Sequence, residues 1–137
     1  MLCLEWWSFE VLAFMAGYIS VNATAAHVVI LNTHVVIIMV PLGAQVAATV
    51  LVGQAMGEGN YQKARQYFHL VALYNLVLNG LIALAVVTFS EGLAGVYTSE
   101  ASIVPLVTDG YKVMAVILML HGLAMVQAGA VRGLGML

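Results

Sequence analysis

The sequence predicts an all-α membrane protein with about four spanning helices, and three observations carry that prediction. The chain is 64% hydrophobic and 7% charged, with a mean hydropathy of +1.05, where soluble domains run at about 45–50% apolar and about 25% charged. Its charges are segregated: no Asp, Glu, Lys or Arg occurs from Val11 to Gly57, and further charge-free runs cover 66–90 and 113–131. None of these runs alternates in polarity as the strands of a lipid-embedded barrel do. Since only helices and closed barrels satisfy backbone polar groups in hydrocarbon, the segments are read as helices.

The first span is placed at about 1–20. No basic region precedes it and no small-residue cleavage site stands apart from later spans, so it reads as a retained span rather than a signal peptide. As one helix, the run from Val11 to Gly57 would extend about 70 Å at about 1.5 Å per residue, more than twice a hydrocarbon core of about 30 Å. It therefore holds the end of the first span and a second span at about 25–55, separated by the polar break "SVNATA". Pro41, in "MVPLGAQ", falls inside the second span and is expected to kink it or open its hydrogen-bond ladder. The turn residues of "GEGNYQKARQ" lead into a third span at about 67–89. "SEGLAGVYTSEAS" leads into a fourth at about 104–131, with Ser102 expected as its N-cap and Pro105 in its first turn.

The few cations set an orientation, because short cytoplasmic loops carry excess Lys and Arg. Lys63 and Arg65 lie between the second and third spans and Arg132 follows the fourth, whereas the first connection has no cation. The first span is thus expected to run from inside to outside. Lys112, near the outer end of the fourth span, is expected to snorkel.

Several functions are disfavoured. The net charge of −2 comes from scattered residues, with no basic cluster to hold nucleic acid. Cys3 is the single cysteine, which excludes an internal disulfide or a cysteine metal cluster. There is no Gly-rich phosphate loop, and no Ser/His/Asp or paired-His metal arrangement stands out. The chain is read as not an enzyme, with no cofactor and no metal.

"CLEWWSFE", at 3–10, places two carboxylates in apolar surroundings. A charge at the centre of a spanning helix costs about 2.5–3.5 kcal/mol, against about 0.3–0.6 kcal/mol gained by each Leu, Ile, Phe or Val. Two Glu would offset most of one span's apolar gain. Glu5 also fits a helix start at the headgroup level, with Trp6 and Trp7 as an interfacial belt. Glu10 fits that reading less well, because the charge-free run that follows it places it near mid-depth. With Trp6 and Trp7 one turn before it and Phe14 one turn after, Glu10 is expected in an apolar setting that favours the neutral acid. Such a carboxyl loads and releases a proton, and indole faces beside it suit an organic cation.

These residues, followed by "VPLGAQVAATVLVGQAMGEGNYQKAR" and "GLAMVQAGAVRGLG", resemble the seventh, eighth and tenth spans of eukaryotic multidrug and toxic compound extrusion (MATE) transporters. The resemblance covers nearly the whole chain, in the right order and spacing. It implies part of a twelve-helix, two-lobe fold, and a secondary antiporter that exports organic cations or other small metabolites and drugs in exchange for protons, in preference to sodium. It also implies a multi-pass protein of the plasma, vacuolar or other organelle membrane. In that family the acids of the first motif handle cations and protons, which places those roles on Glu5 and Glu10. Many members carry an acid eleven positions before the Arg of the tenth span, where this chain has His121. An imidazole still exchanges a proton near neutral pH, although when charged it repels a cationic substrate. Leu51 stands where relatives often have Arg. About four spans are present where the family has twelve, so the sequence reads as a fragment of the C-terminal lobe, whose partners are the missing N-terminal lobe, the bilayer, protons and a small-molecule substrate. The alternative is an inactive truncated product that only packs with other membrane helices.

Among the other polar residues, Gln45 and Thr49 share a face just past Pro41, where disrupted helix backbone often carries transporter binding groups. They join Trp6 and Trp7 as candidates to line a substrate path. Asn32, Thr33 and His34 are expected to satisfy one another or a backbone carbonyl, and Asn75 and Asn79, one turn apart, to serve helix packing. His27 and His69 are placed at span ends. Gly129 and Gly133 form a small-xxx-small pair for close helix approach.

Overall fold

A computed structural model describes the backbone of residues 2–98, 100 and 102–135, with side chains from Trp7 onward. The described residues fold into six helices: α1 (Leu2–Ile19), α2 (Val21–Ile37), α3 (Met39–Gly57), α4 (Tyr61–Thr88), α5 (Ser90–Tyr97) and α6 (Val104–Gly133). Among the described residues there is no strand.

The polar break between α1 and α2 is a single extended residue, Ser20, whose hydroxyl accepts the Ala23 N–H at 3.0 Å. This cap satisfies a donor that the first turn of a helix otherwise leaves free, and α2 folds back along α1. α2 and α3 then follow one path of 37 residues, Val21–Gly57, interrupted at Ile38. The interruption lies three residues before Pro41, which has no N–H for the Ile37 carbonyl and whose ring crowds it. The bonds on either side survive, from Ile38 N–H to His34 O (2.9 Å) and from Leu42 N–H to Ile38 O (3.1 Å), so the path is interrupted without unravelling.

A turn through Glu58, Gly59 and Asn60 reverses the chain, and the Asn60 side chain caps α4 by accepting the Lys63 N–H at 3.0 Å. The connection to α6 differs from expectation in two ways. It contains a helix of its own, α5, and the residue capping α6 is Ile103, with no side-chain hydrogen bond, rather than Ser102. The Ser102 hydroxyl is instead turned to Glu100 Oε2 and Asn22 Nδ2, each at 3.4 Å. Pro105 does fall in the first turn of α6, where its missing N–H costs nothing.

α6 packs against α2, α3, α4 and α5 and is the central element of the bundle. It runs parallel to the α2–α3 path, since Asn22 meets Ser102 at one end and Gly53 meets Gly133 at the other, and α4 runs opposite to both. Interior residues are small or β-branched: Ala48, Val71 and Val126 form one cluster, and Val52, Ala55, Ala64 and Ala130 another. Small residues let helix backbones approach closely where lipid offers no hydrophobic drive to associate. The outer surface is apolar too, with Val46, Leu70, Tyr74, Leu84, Val113 and Leu120 exposed, as a lipid-facing surface requires.

Three helical paths are long and apolar enough to cross a bilayer: Val21–Gly57, Tyr61–Thr88 and Val104–Gly133. The first expected span, at about 1–20, corresponds to α1, whose described apolar part, Trp7–Ile19, is shorter.

Candidate functional site

Near the middle of the bundle, polar side chains from α2, α4 and α6 lie at one level. His34 on α2 is buried, at 5% exposure, and its ring stacks on that of His121 on α6, with centroids 6.1 Å apart and planes 15° from parallel. α1 reaches the same point through Phe9, whose ring is 5.7 Å from that of His34 and tilted by 45°. The His34 Nε2 is buried without a hydrogen-bond partner. This corrects the expectation that local groups satisfy His34. The Thr33 hydroxyl donates to the Val29 carbonyl (3.0 Å) and so accepts from the Tyr111 hydroxyl at 2.9 Å, while Asn32 is exposed.

On the other side of α6, Gly122 faces Asn75 and Asn79 of α4, which are 2% and 1% exposed. A Cβ on Gly122 would stand 3.1 Å from Asn75 Nδ2 and 3.2 Å from Asn79 Cγ, so glycine makes room for the pair. Asn79 Nδ2 donates to Asn75 Oδ1 (2.8 Å) and to the Asn75 carbonyl (3.0 Å), leaving Asn79 Oδ1 buried and unpaired. These bonds stay within α4 and do not link helices. His27, expected at a span end, is partly buried, and its Nε2 also lacks a partner. Two imidazoles and an amide with unmet polar atoms are an uncommon concentration, because an unpaired polar atom costs most where water is absent.

The residues singled out from the sequence fall into three places. Glu5 and Trp6 lie outside the residues whose side chains are described. Trp7 and Glu10 are on the open side of α1: Trp7 is 70% exposed, and Glu10 lies in a groove of about 420 Å³ lined by Ala13, Phe14, Gly17 and Tyr18. The aromatic faces beside Glu10 are thus Phe14 and Tyr18, and among the described residues it has no hydrogen-bond or ion-pair partner. Gln45 and Thr49 lie in the seam between α3 and α6, where the Thr49 hydroxyl is within hydrogen-bond distance of the Gln45 carbonyl (2.9 Å) and the Gly129 carbonyl (3.0 Å). Of the named residues whose side chains are described, only His121 reaches the central layer.

Sequence reasoning missed Phe9 and His34 as its companions. Their signal was faint: His34 is a polar residue inside a long apolar run, and nothing local says which helix it meets. Among the described residues no group of three or more His, Cys, Asp or Glu is placed to hold a metal ion.

The family model MatE matches residues 1–136. Multidrug and toxin extrusion protein 2 of Mus musculus is 35% identical over 135 residues, covering 98% of this chain and 24% of that protein. Multidrug and toxin extrusion protein 1 of Xenopus tropicalis is 31% identical over 137 residues, covering 100% and 24%. The Homo sapiens protein of that name is 29% identical over 135 residues, covering 98% and 24%. The chain spans about a quarter of the length of these relatives. With a family match over nearly all its residues and three helices fit to cross a bilayer, this is a multi-pass membrane chain that belongs to the MatE family.

Proposed function

We propose that the polypeptide carrying this segment is a secondary antiporter that exports organic cations or other small drugs and metabolites, driven by protons entering in exchange. One observation carries the reading: Glu10 stands unpaired on a helix that is otherwise apolar to its end, in a groove beside Phe14 and Tyr18. A lone charged side chain at mid-membrane costs about 2.5–3.5 kcal/mol, so the carboxyl is neutralised by a proton or by a cation. Aromatic faces add cation–π attraction of about 0.5–2 kcal/mol for an organic cation. One site with two mutually exclusive occupants is the minimum equipment for exchange, since each occupant displaces the other as the helices move between inward-open and outward-open states. The relatives' names, which speak of drug and toxin extrusion, support the same direction of transport. Glu5 has the companion role.

The test uses the full natural polypeptide in lipid vesicles under an imposed pH gradient, with tetraethylammonium as probe. The expected outcome is proton-driven flux in wild type and a loss of at least about tenfold in Glu10→Gln, which corresponds to about 1.4 kcal/mol. Unchanged flux in the variant removes Glu10 from the mechanism.

A further inference from the structure

We infer that His34 and His121 form a two-imidazole site that holds one proton between α2 and α6. The inference rests on the proton-driven reading above, and it places a second proton-handling position at the helix–helix contact, away from the Glu10 groove. Three observations carry it. The rings stack at 6.1 Å with planes 15° from parallel. His34 is 95% withdrawn from solvent, being 5% exposed. Its Nε2 is buried with no partner, so that nitrogen is free to take or release a proton without breaking an existing bond.

The surroundings decide how many protons the pair accepts. From α1, Phe9 covers His34 with an apolar face, and the next residue, Glu10, lies in the groove along α1. From α6 the titratable groups are His121, whose ring stacks on that of His34, and Tyr111, whose hydroxyl is engaged by Thr33. On α2, His27 lies seven residues away, about 10 Å along the axis. α4 presents the uncharged Asn75 and Asn79. No carboxylate or Lys among the described residues is hydrogen-bonded or ion-paired to either ring. One imidazolium is the most such a contact tolerates, because a second positive charge stacked on the first repels it and no carboxylate among the described residues is paired to either ring. Adding that proton places a charge on a neutral stack at the junction of α1, α2 and α6. Proton occupancy thereby acts on the contact between helices, and not only on the groove where a cation would bind.

The experiment takes the full polypeptide, labels its histidine rings isotopically and follows them by NMR from pH 5 to 8, where imidazoles titrate. Wild type is compared with His34→Gln and His121→Gln, and the pH profile of tetraethylammonium flux is measured in the same set. The pair predicts that removing either ring moves the other's titration midpoint by about one pH unit, and that both variants displace the flux profile. Where a Gln variant fails to fold, His121→Glu keeps an exchangeable proton beside His34, and its flux profile is expected to move toward the acid range of a carboxyl. Titration of His34 that is independent of residue 121 overturns the pair. Coupled titration without any proton-driven flux in wild type leaves the pair standing and overturns the antiport reading instead.

Discussion

Gly129 and Gly133 show how much of the bundle rests on single side chains that are absent. A Cβ on Gly133 would stand 2.7 Å from the Thr49 carbonyl oxygen and 3.0 Å from Gly53 N, and one on Gly129 would collide with the Gln45 backbone. Thr49 closes the same seam by bonding toward the Gly129 carbonyl. Gly129→Val is therefore expected to push α6 off α3 and destabilise the bundle by about 1–3 kcal/mol, the usual cost of overpacking, read as a lowered midpoint of unfolding in detergent. The small-xxx-small spacing was legible in the sequence. Which helix it receives was not, because spacing fixes a face of α6 and says nothing of the neighbour across from it. The same holds for Asn75 and Asn79: their shared face was readable from a spacing of four, but the fact that they bond to each other within α4 while Gly122 makes the contact is a property of the packed pair.

At the scale of elements, the break at Ile38 and the short helix α5 are the informative features. The break follows from Pro41 and was expected, since a missing N–H and a crowded carbonyl act wherever the ring is placed. Its consequence comes from position: His34 lies in the last turn of α2, directly before the interruption, and meets His121 there. Pro41→Ala restores the missing donor and is expected to straighten the path. Spin labels at the exposed positions of Val28 and Val50 should then read a longer separation than in the parent, and an unchanged distance would assign the interruption to packing instead. α5 escaped sequence reading because its eight residues look like a loop rich in Gly and Ser. Ala94 and Leu93, packed into the cluster around Val107 and Tyr111, hold it helical.

For the whole molecule, the two ends of the bundle differ in charge. The α3–α4 turn, Lys63, Arg65 and the end of α6 with Arg132 collect at one end, while Asn22 and Ser102 meet at the other. Of the four basic residues, only Lys112 lies toward the second end, and there it pairs with Asp109 at 2.7 Å. The exposed Lys63–Glu58 pair, also 2.7 Å, contributes little to stability, because solvent screens both groups. In a background with Cys3→Ser, single cysteines at Glu58 and at Asn22 are expected to react with an impermeant thiol reagent from opposite sides of the membrane, Glu58 from the cytoplasmic side. Labelling of both from one side would break the alternating topology.

The sequence by itself determined that this is a helical membrane chain, which end carries the cations and which family motifs it bears. Those properties depend on transfer of side chains from water to lipid and on local backbone chemistry, and both are written in runs of neighbouring residues. Only the tertiary structure decided that His34 meets His121, that Phe9 brings α1 to them, and that Glu10 is left on the open side of α1. In lipid every helix face is apolar, so hydrophobic pattern does not say which faces meet. That choice is made by the shapes of small residues and by the few polar atoms seeking a place out of the hydrocarbon.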